Sequence, residues 1–157
     1  MKKLIQLSFG LLIILSACSG EKSNSESIKE KYAKKPPKSL AELEKEYQKY
    51  TGIGPISSFE LPQEIDQTMV SQGETIFEAK CTACHKVNKK FIGPSPKDIL
   101  SRRTPAWVMN MILNPDEMVQ KDPLAKQLLI EFNGSPMANQ NLTEEEARSV
   151  LEFFRTL

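Results

Sequence analysis

The stretch KCTACHK, Lys80 to Lys86, holds two of the chain's three cysteines and its only histidine. Residues so scarce in a chain of 157 do not gather by accident. C-x-x-C-H is the attachment signature for c-type haem. The spacing suits that chemistry: two thiols one helical turn apart add across the two vinyl groups of haem, and the histidine that follows lies under the iron as proximal ligand. Other chemistries fit less well. A zinc site wants two more Cys or His ligands, and with Cys18 assigned to the leader below, the chain has none left. A thioredoxin-like dithiol needs a βαβ setting, yet no window alternates with the period of two that marks a strand. A structural disulfide leaves the adjacent His85 unexplained. The expected cofactor is one covalent haem c on Cys81 and Cys84, with His85 as metal ligand.

Around this stretch the pattern is helical. EIDQTMVSQGETIFEAK has apolar residues at Ile65, Met69, Ile76 and Phe77, a helical spacing interrupted at Gly73. In TPAWVMNMIL, Thr104 is placed to cap and Pro105 to occupy the first helical position, and Asn114-Pro115 ends the segment. DPLAKQLLIEF repeats the device with Asp122 and Pro123. LTEEEARSVLEFFRTL opens with the capping box Thr143-x-x-Glu146, carries acidic residues at the positive helix end, and has an apolar stripe of Ala147, Val150, Leu151 and Phe154. The expectation is an all-α unit over 63–157 with about four helices and long loops. That is a thin core for its length, and a bound prosthetic group fills the gap.

The beginning of the chain has another character. Lys2 and Lys3 precede an apolar run from Leu4 to Leu15, followed by small residues and Cys18, the pattern of a secretory signal. The run is shorter than the roughly 20 apolar residues a membrane-spanning helix needs. LSAC resembles the lipobox of bacterial lipoproteins, which implies cleavage after residue 17 and a diacylated Cys18 as mature N-terminus. Lipidation also removes the odd cysteine, a liability in an oxidising compartment. Residues 18–62 then read as a polar tether, since SGEKSNSESIKEKYAKKPPK cannot bury enough apolar surface to order itself. Within it SLAELEKEYQKY could form a short helix, given the capping-box spacing of Ser39 and Glu42. The organisation expected is therefore leader 1–17, lipidated tether 18–62 and globular domain 63–157, lipid-anchored to a membrane in the periplasm or cell envelope. Net charge is +1 and falls to about −1 once Lys2 and Lys3 leave. No polybasic excess points to nucleic acid.

Residues 65–157 resemble the class I cytochromes c. GETIFEAKCTACHK is similar to the first helix of that family, with Gly73, Phe77 and Cys81 at four-residue steps. The resemblance implies the cytochrome c fold, in which the glycine lets the last helix cross closely and Phe153 or Phe154 rests against it. It also implies a methionine as sixth iron ligand. Met137, in the loop NGSPMANQNLT beside Pro136 and five residues before Leu142, matches the family's position, and Met118 is the other candidate. FIGPSP resembles the loop whose proline carbonyl accepts the histidine ring N–H, here Pro94 or, failing that, Pro96. Trp107 with Arg102 and Arg103 either faces the haem propionates, since a buried carboxylate needs a partner, or is a core tryptophan beside solvated arginines. A longer match, RRTPAWVMNMILNPDEM through SPMANQNLTEEEA, resembles lipoprotein cytochromes c associated with nitrous-oxide reduction in Bacteroidetes-type bacteria.

The function so implied is single-electron transfer between respiratory partners and not enzymatic turnover, with a terminal oxidase or a nitrous-oxide reductase as acceptor. The opposing reading is a haem-based sensor or enzyme with an open sixth position. Lys80, Lys86, Lys89 and Lys90 surround the attachment site and either steer an acidic partner or form a solvated charge run. From residue 63 on the chain carries 11 basic and 13 acidic residues, so any steering is local.

Overall fold

The computed structural model describes residues 50–157. The leader, Cys18, the expected tether up to residue 49 and residues 39–49 of the expected short helix lie outside the described residues.

Among the described residues, four of the five α-helices begin where a side-chain cap accepts from free N–H groups of the first turn. Asp66 accepts from Thr68 N and Met69 N and opens α1, Gln67–Lys80. Thr104 accepts from Trp107 N at 3.1 Å and opens α2, Pro105–Leu113. That helix ends at Asn114 as expected, but the chain does not leave helical structure there. Pro115 starts α3, Pro115–Lys121, with Asp116 and Glu117 in its first turn. A proline costs nothing at a first helical position, where its missing N–H has no partner in any case, and the acids complement the helix dipole. Asp122 then caps α4, Pro123–Glu131, and the Thr143–Glu146 capping box opens α5, Glu144–Phe154. Among the described residues five α-helices therefore stand where about four were expected, with a 3-10 turn at Ile99–Ser101. The fold is all-α; among the described residues the only extended pairing is an isolated bridge between Lys86 and Lys89.

The principal helix–helix interface is α1 against α5. A Cβ at Gly73 would lie 2.0 Å from the Ser149 carbonyl oxygen, so only glycine admits the last helix this closely. The nearest atoms belong to the Ser149 and Val150 backbone, and the two phenylalanines meet Phe77 one turn later, at centroid distances of 5.6 Å for Phe153 and 5.7 Å for Phe154. Behind this crossing, Trp107, Met109 and Ile112 of α2, Met118 of α3, Leu124 and Leu129 of α4, and Val150 and Leu151 of α5 form one buried cluster.

The described residues ahead of position 63 share in the same packing. Tyr50, Ile53, Ile56, Phe59 and Leu61 pack on the core as an irregular arm. Asn110, wholly buried on α2, holds it by accepting from Ile56 N at 2.9 Å and donating to Thr51 O at 2.8 Å and Ile56 O at 2.9 Å. Gly52 lies against Met118 and the Trp107 ring, where a Cβ would come within 2.9 Å of both, and its φ of 76° also favours glycine. Tyr50 donates its phenol O–H to buried Asp122 and accepts at its carbonyl from Thr104 Oγ1. The arm's apolar residues recur every three positions from Tyr50 to Phe59, which is neither an α-helical nor a strand period, so pattern alone reads it as a connector.

A second clamp joins the arm's end to α5. Glu152 is fully buried, pairs with Arg148 and Arg155, and accepts from Asp66 N at 2.8 Å. Arg155 also donates to the carbonyls of Pro62 and Glu64. A buried carboxylate so placed has its lone pairs satisfied, as its desolvation requires.

Candidate functional site

The last turn of α1 delivers the cluster. Cys81 is its C-cap, its N–H still bonded to Phe77 O at 2.9 Å. A tight turn follows, with Cys84 N and His85 N both donating to Cys81 O at 3.0 and 2.9 Å. Cys81 is half-buried and Cys84 exposed, and neither is in a disulfide. Burial pushes the Cys81 thiol above its ordinary pKa, with the Lys80 charge opposing, so it is held as S–H.

The loop after the turn folds back over it. Gly93 N donates to Cys84 O at 2.8 Å and Gly93 O accepts from Phe91 N at 3.1 Å. Ser95 Oγ donates to Val87 O, while the Arg102 guanidinium donates to Lys97 O at 2.9 Å and Ser95 O at 3.2 Å. This closure brings Pro94 O to 2.7 Å from His85 Nδ1. A carbonyl only accepts, so Nδ1 carries the proton and Nε2 presents its lone pair. The carbonyl of Pro96 is taken by Ile99 N at 3.0 Å. Gly93 packs so closely that a Cβ there would lie 2.5 Å from His85 Cε1.

The two candidate methionines sit in different surroundings. Met118 is wholly buried, and its sulfur accepts from Ile53 N at 3.1 Å. Met137 is half-buried at the edge of the core. Its loop leaves α4 through a Schellman turn: Asn133, at φ 59°, donates to Ile130 O at 3.2 Å, and Gly134 donates to Leu129 O at 2.7 Å. Asn139 then steadies the loop by accepting from Asn141 N at 2.8 Å.

Trp107 is buried and donates its indole N–H to Asp122 at 3.3 Å. Arg102 is spent on the carbonyls of Ser95 and Lys97, and Arg103 lies over the Trp107 ring at 5.2 Å and donates to Arg102 O. Around the turn, Phe91 and Ile92 are 48% and 46% exposed, with Lys86 over the Phe91 ring at 5.3 Å.

These residues fit haem c. Two thiols outside any disulfide sit within one turn of an imidazole whose Nε2 is free to ligate, and a glycine leaves the ring room. No group of three His, Cys, Asp or Glu able to hold a separate metal ion occurs among the described residues. An open cavity of about 380 Å³ between α1 and α5 is lined by Gln72, Ile76, Glu145 and Ser149 and includes none of the cluster. Pattern reading did not reach Gly93 or Asn110, and it took Asp122 only as a cap. The glycine preceding Pro94 and the amide set inside an apolar helix were the available signs.

The cytochrome c family model matches residues 70–157. The chain is 33% identical over 95 residues to cytochrome c-551 of Ectopseudomonas mendocina, covering 55% of this chain and 99% of that protein. The structure is similar to a cytochrome c from Rhodothermus marinus, with 43% identity, a TM-score of 0.63, and coverage of 66% of this chain and 88% of that one. An engineered form of the Rhodothermus protein bound to a carbene intermediate is 42% identical at a TM-score of 0.61, with the same two coverages.

Proposed function

Because the chain belongs to the cytochrome c family, we propose that it is an exported, lipid-anchored carrier passing single electrons between respiratory partners, its iron ligated by His85 and Met137. The haem c held by Cys81 and Cys84 supplies the one-electron ferrous–ferric couple. The observation that carries the reading is the 2.7 Å contact of His85 Nδ1 with Pro94 O, which directs Nε2 outward and raises its basicity as a ligand. Met137 is favoured as sixth ligand because Met118 has its sulfur engaged by Ile53 N. A thioether in the sixth place disfavours substrate binding and raises the potential.

The basic leader, the LSAC sequence and Cys18 support export and a lipid anchor. No helix among the described residues is long and apolar enough to cross a membrane. Phe91 and Ile92 among Lys86, Lys89 and Lys90 favour a transient acidic redox partner. A terminal oxidase and a nitrous-oxide reductase are the acceptors to try first. Phase separation in detergent tests the anchor: mature protein in the aqueous phase removes it.

A second reading has one observation in its favour, the engineered relative that holds a carbene. An open sixth position makes a sensor or enzyme of the same scaffold. Ferrous spectra with and without carbon monoxide decide between them. An unchanged spectrum supports the carrier, and ready binding supports the open site.

A further inference from the structure

We propose that Gly93 is a positioning residue that sets the plane of the His85 imidazole. The inference rests on His85 ligating the iron and adds a second constraint to its bond with Pro94. A Cβ on Gly93 would lie 2.5 Å from Cε1, 2.9 Å from Nδ1 and 3.0 Å from Nε2. Distances to the two nitrogens only slightly longer than that to Cε1 place the carbon over the ring face; in the ring plane beyond Cε1 both would be markedly longer. Gly93 is absent from the residues with positive φ, where the glycines are Gly52 and Gly134, so its backbone does not demand glycine. The ring does.

Neither side of the contact yields freely. The Gly93 backbone is pinned by its N–H on Cys84 O at 2.8 Å and by its carbonyl under Phe91 N at 3.1 Å. The ring is pinned by Nδ1 on Pro94 O at 2.7 Å. A methyl group at 93 therefore turns the ring and lengthens the Nδ1–carbonyl bond. A weaker bond makes the imidazole a poorer donor and stabilises ferric iron less.

The test uses the holoprotein. In the ferrous, diamagnetic state, proton NMR should give a nuclear Overhauser effect between Gly93 Hα and the strongly upfield-shifted His85 Hε1. Gly93→Ala should raise the reduction potential and change the g-value spread of the ferric electron paramagnetic resonance spectrum. Gly52→Ala, crowded at 2.9 Å by Met118 and Trp107 instead of by the imidazole, should lower stability and leave the g values where they are. An upfield Hε1 without the Overhauser effect overturns the proposal while ligation stands; no upfield Hε1 overturns the ligation itself. Unchanged g values and potential in Gly93→Ala also overturn it. If that variant takes up no haem, the wild-type Overhauser measurement decides alone.

Discussion

Met118 and Met137 carry the same thioether, and what surrounds each sulfur separates them. The ferric protein should show the weak far-red sulfur-to-iron band. Met137→Ala should abolish it and open the iron to carbon monoxide. Met118→Ala should keep the band and lose about 2–5 kcal/mol of stability, the usual cost of emptying a buried methionine site; denaturant titration of both holoproteins checks this. Tyr50 supplies a pH effect. Burial first, then its hydrogen bond to Asp122 and the charge of that group, push its phenol above the ordinary range. The fold thus favours neutral tyrosine, a contribution complete below the unfolded value of about 10 and lost as pH rises beyond it. The melting temperature should fall more steeply above about pH 10 in the wild type than in Tyr50→Phe. Cys81, Cys84 and His85 were legible in the sequence because their chemistry is encoded by local spacing. Gly93, Glu152 and the bonds that Asp122 takes from Tyr50 and Trp107 were not, because each depends on partners distant in sequence or on a ring touched only after the loop closes.

At the level of elements, the caps were the readable signs. Thr104, Asp122 and Thr143 each begin the helix their sequence announces. Helix α3 was hidden because Asn114-Pro115 ends one helix and starts another with the same two residues. The arm of residues 50–61 was hidden for a different reason: irregular backbone is held by side-chain amides and sulfur, which leave no α-helical or strand period. Asn110→Ala tests its attachment. Each buried backbone group of Thr51 or Ile56 left unpaired should cost about 1–3 kcal/mol, and limited proteolysis should cut between residues 50 and 61 before anywhere in α1. Cutting within α1 first would mean that the arm is held by its apolar contacts alone.

For the molecule as a whole, the class was readable from one stretch, since a haem attachment turn among amphipathic segments admits few folds. The haem is expected to be a large part of the core, so Cys81→Ala with Cys84→Ala should yield no covalent haem and little helical circular dichroism. A folded, haem-binding double variant would remove these thiols from the site. The arm has one more consequence, a mechanical one. A pull on the chain ahead of Tyr50 enters the fold where Tyr50 meets Thr104 and Asp122, and passes next to the clamp at Asn110. These anchors belong to α2 and the start of α4. Force must strip them, and then the Arg155 and Glu152 contacts around residues 62–66, before it reaches the helix that ends in Cys81. The electron-carrying end of the molecule is thereby insulated from whatever tugs at the other.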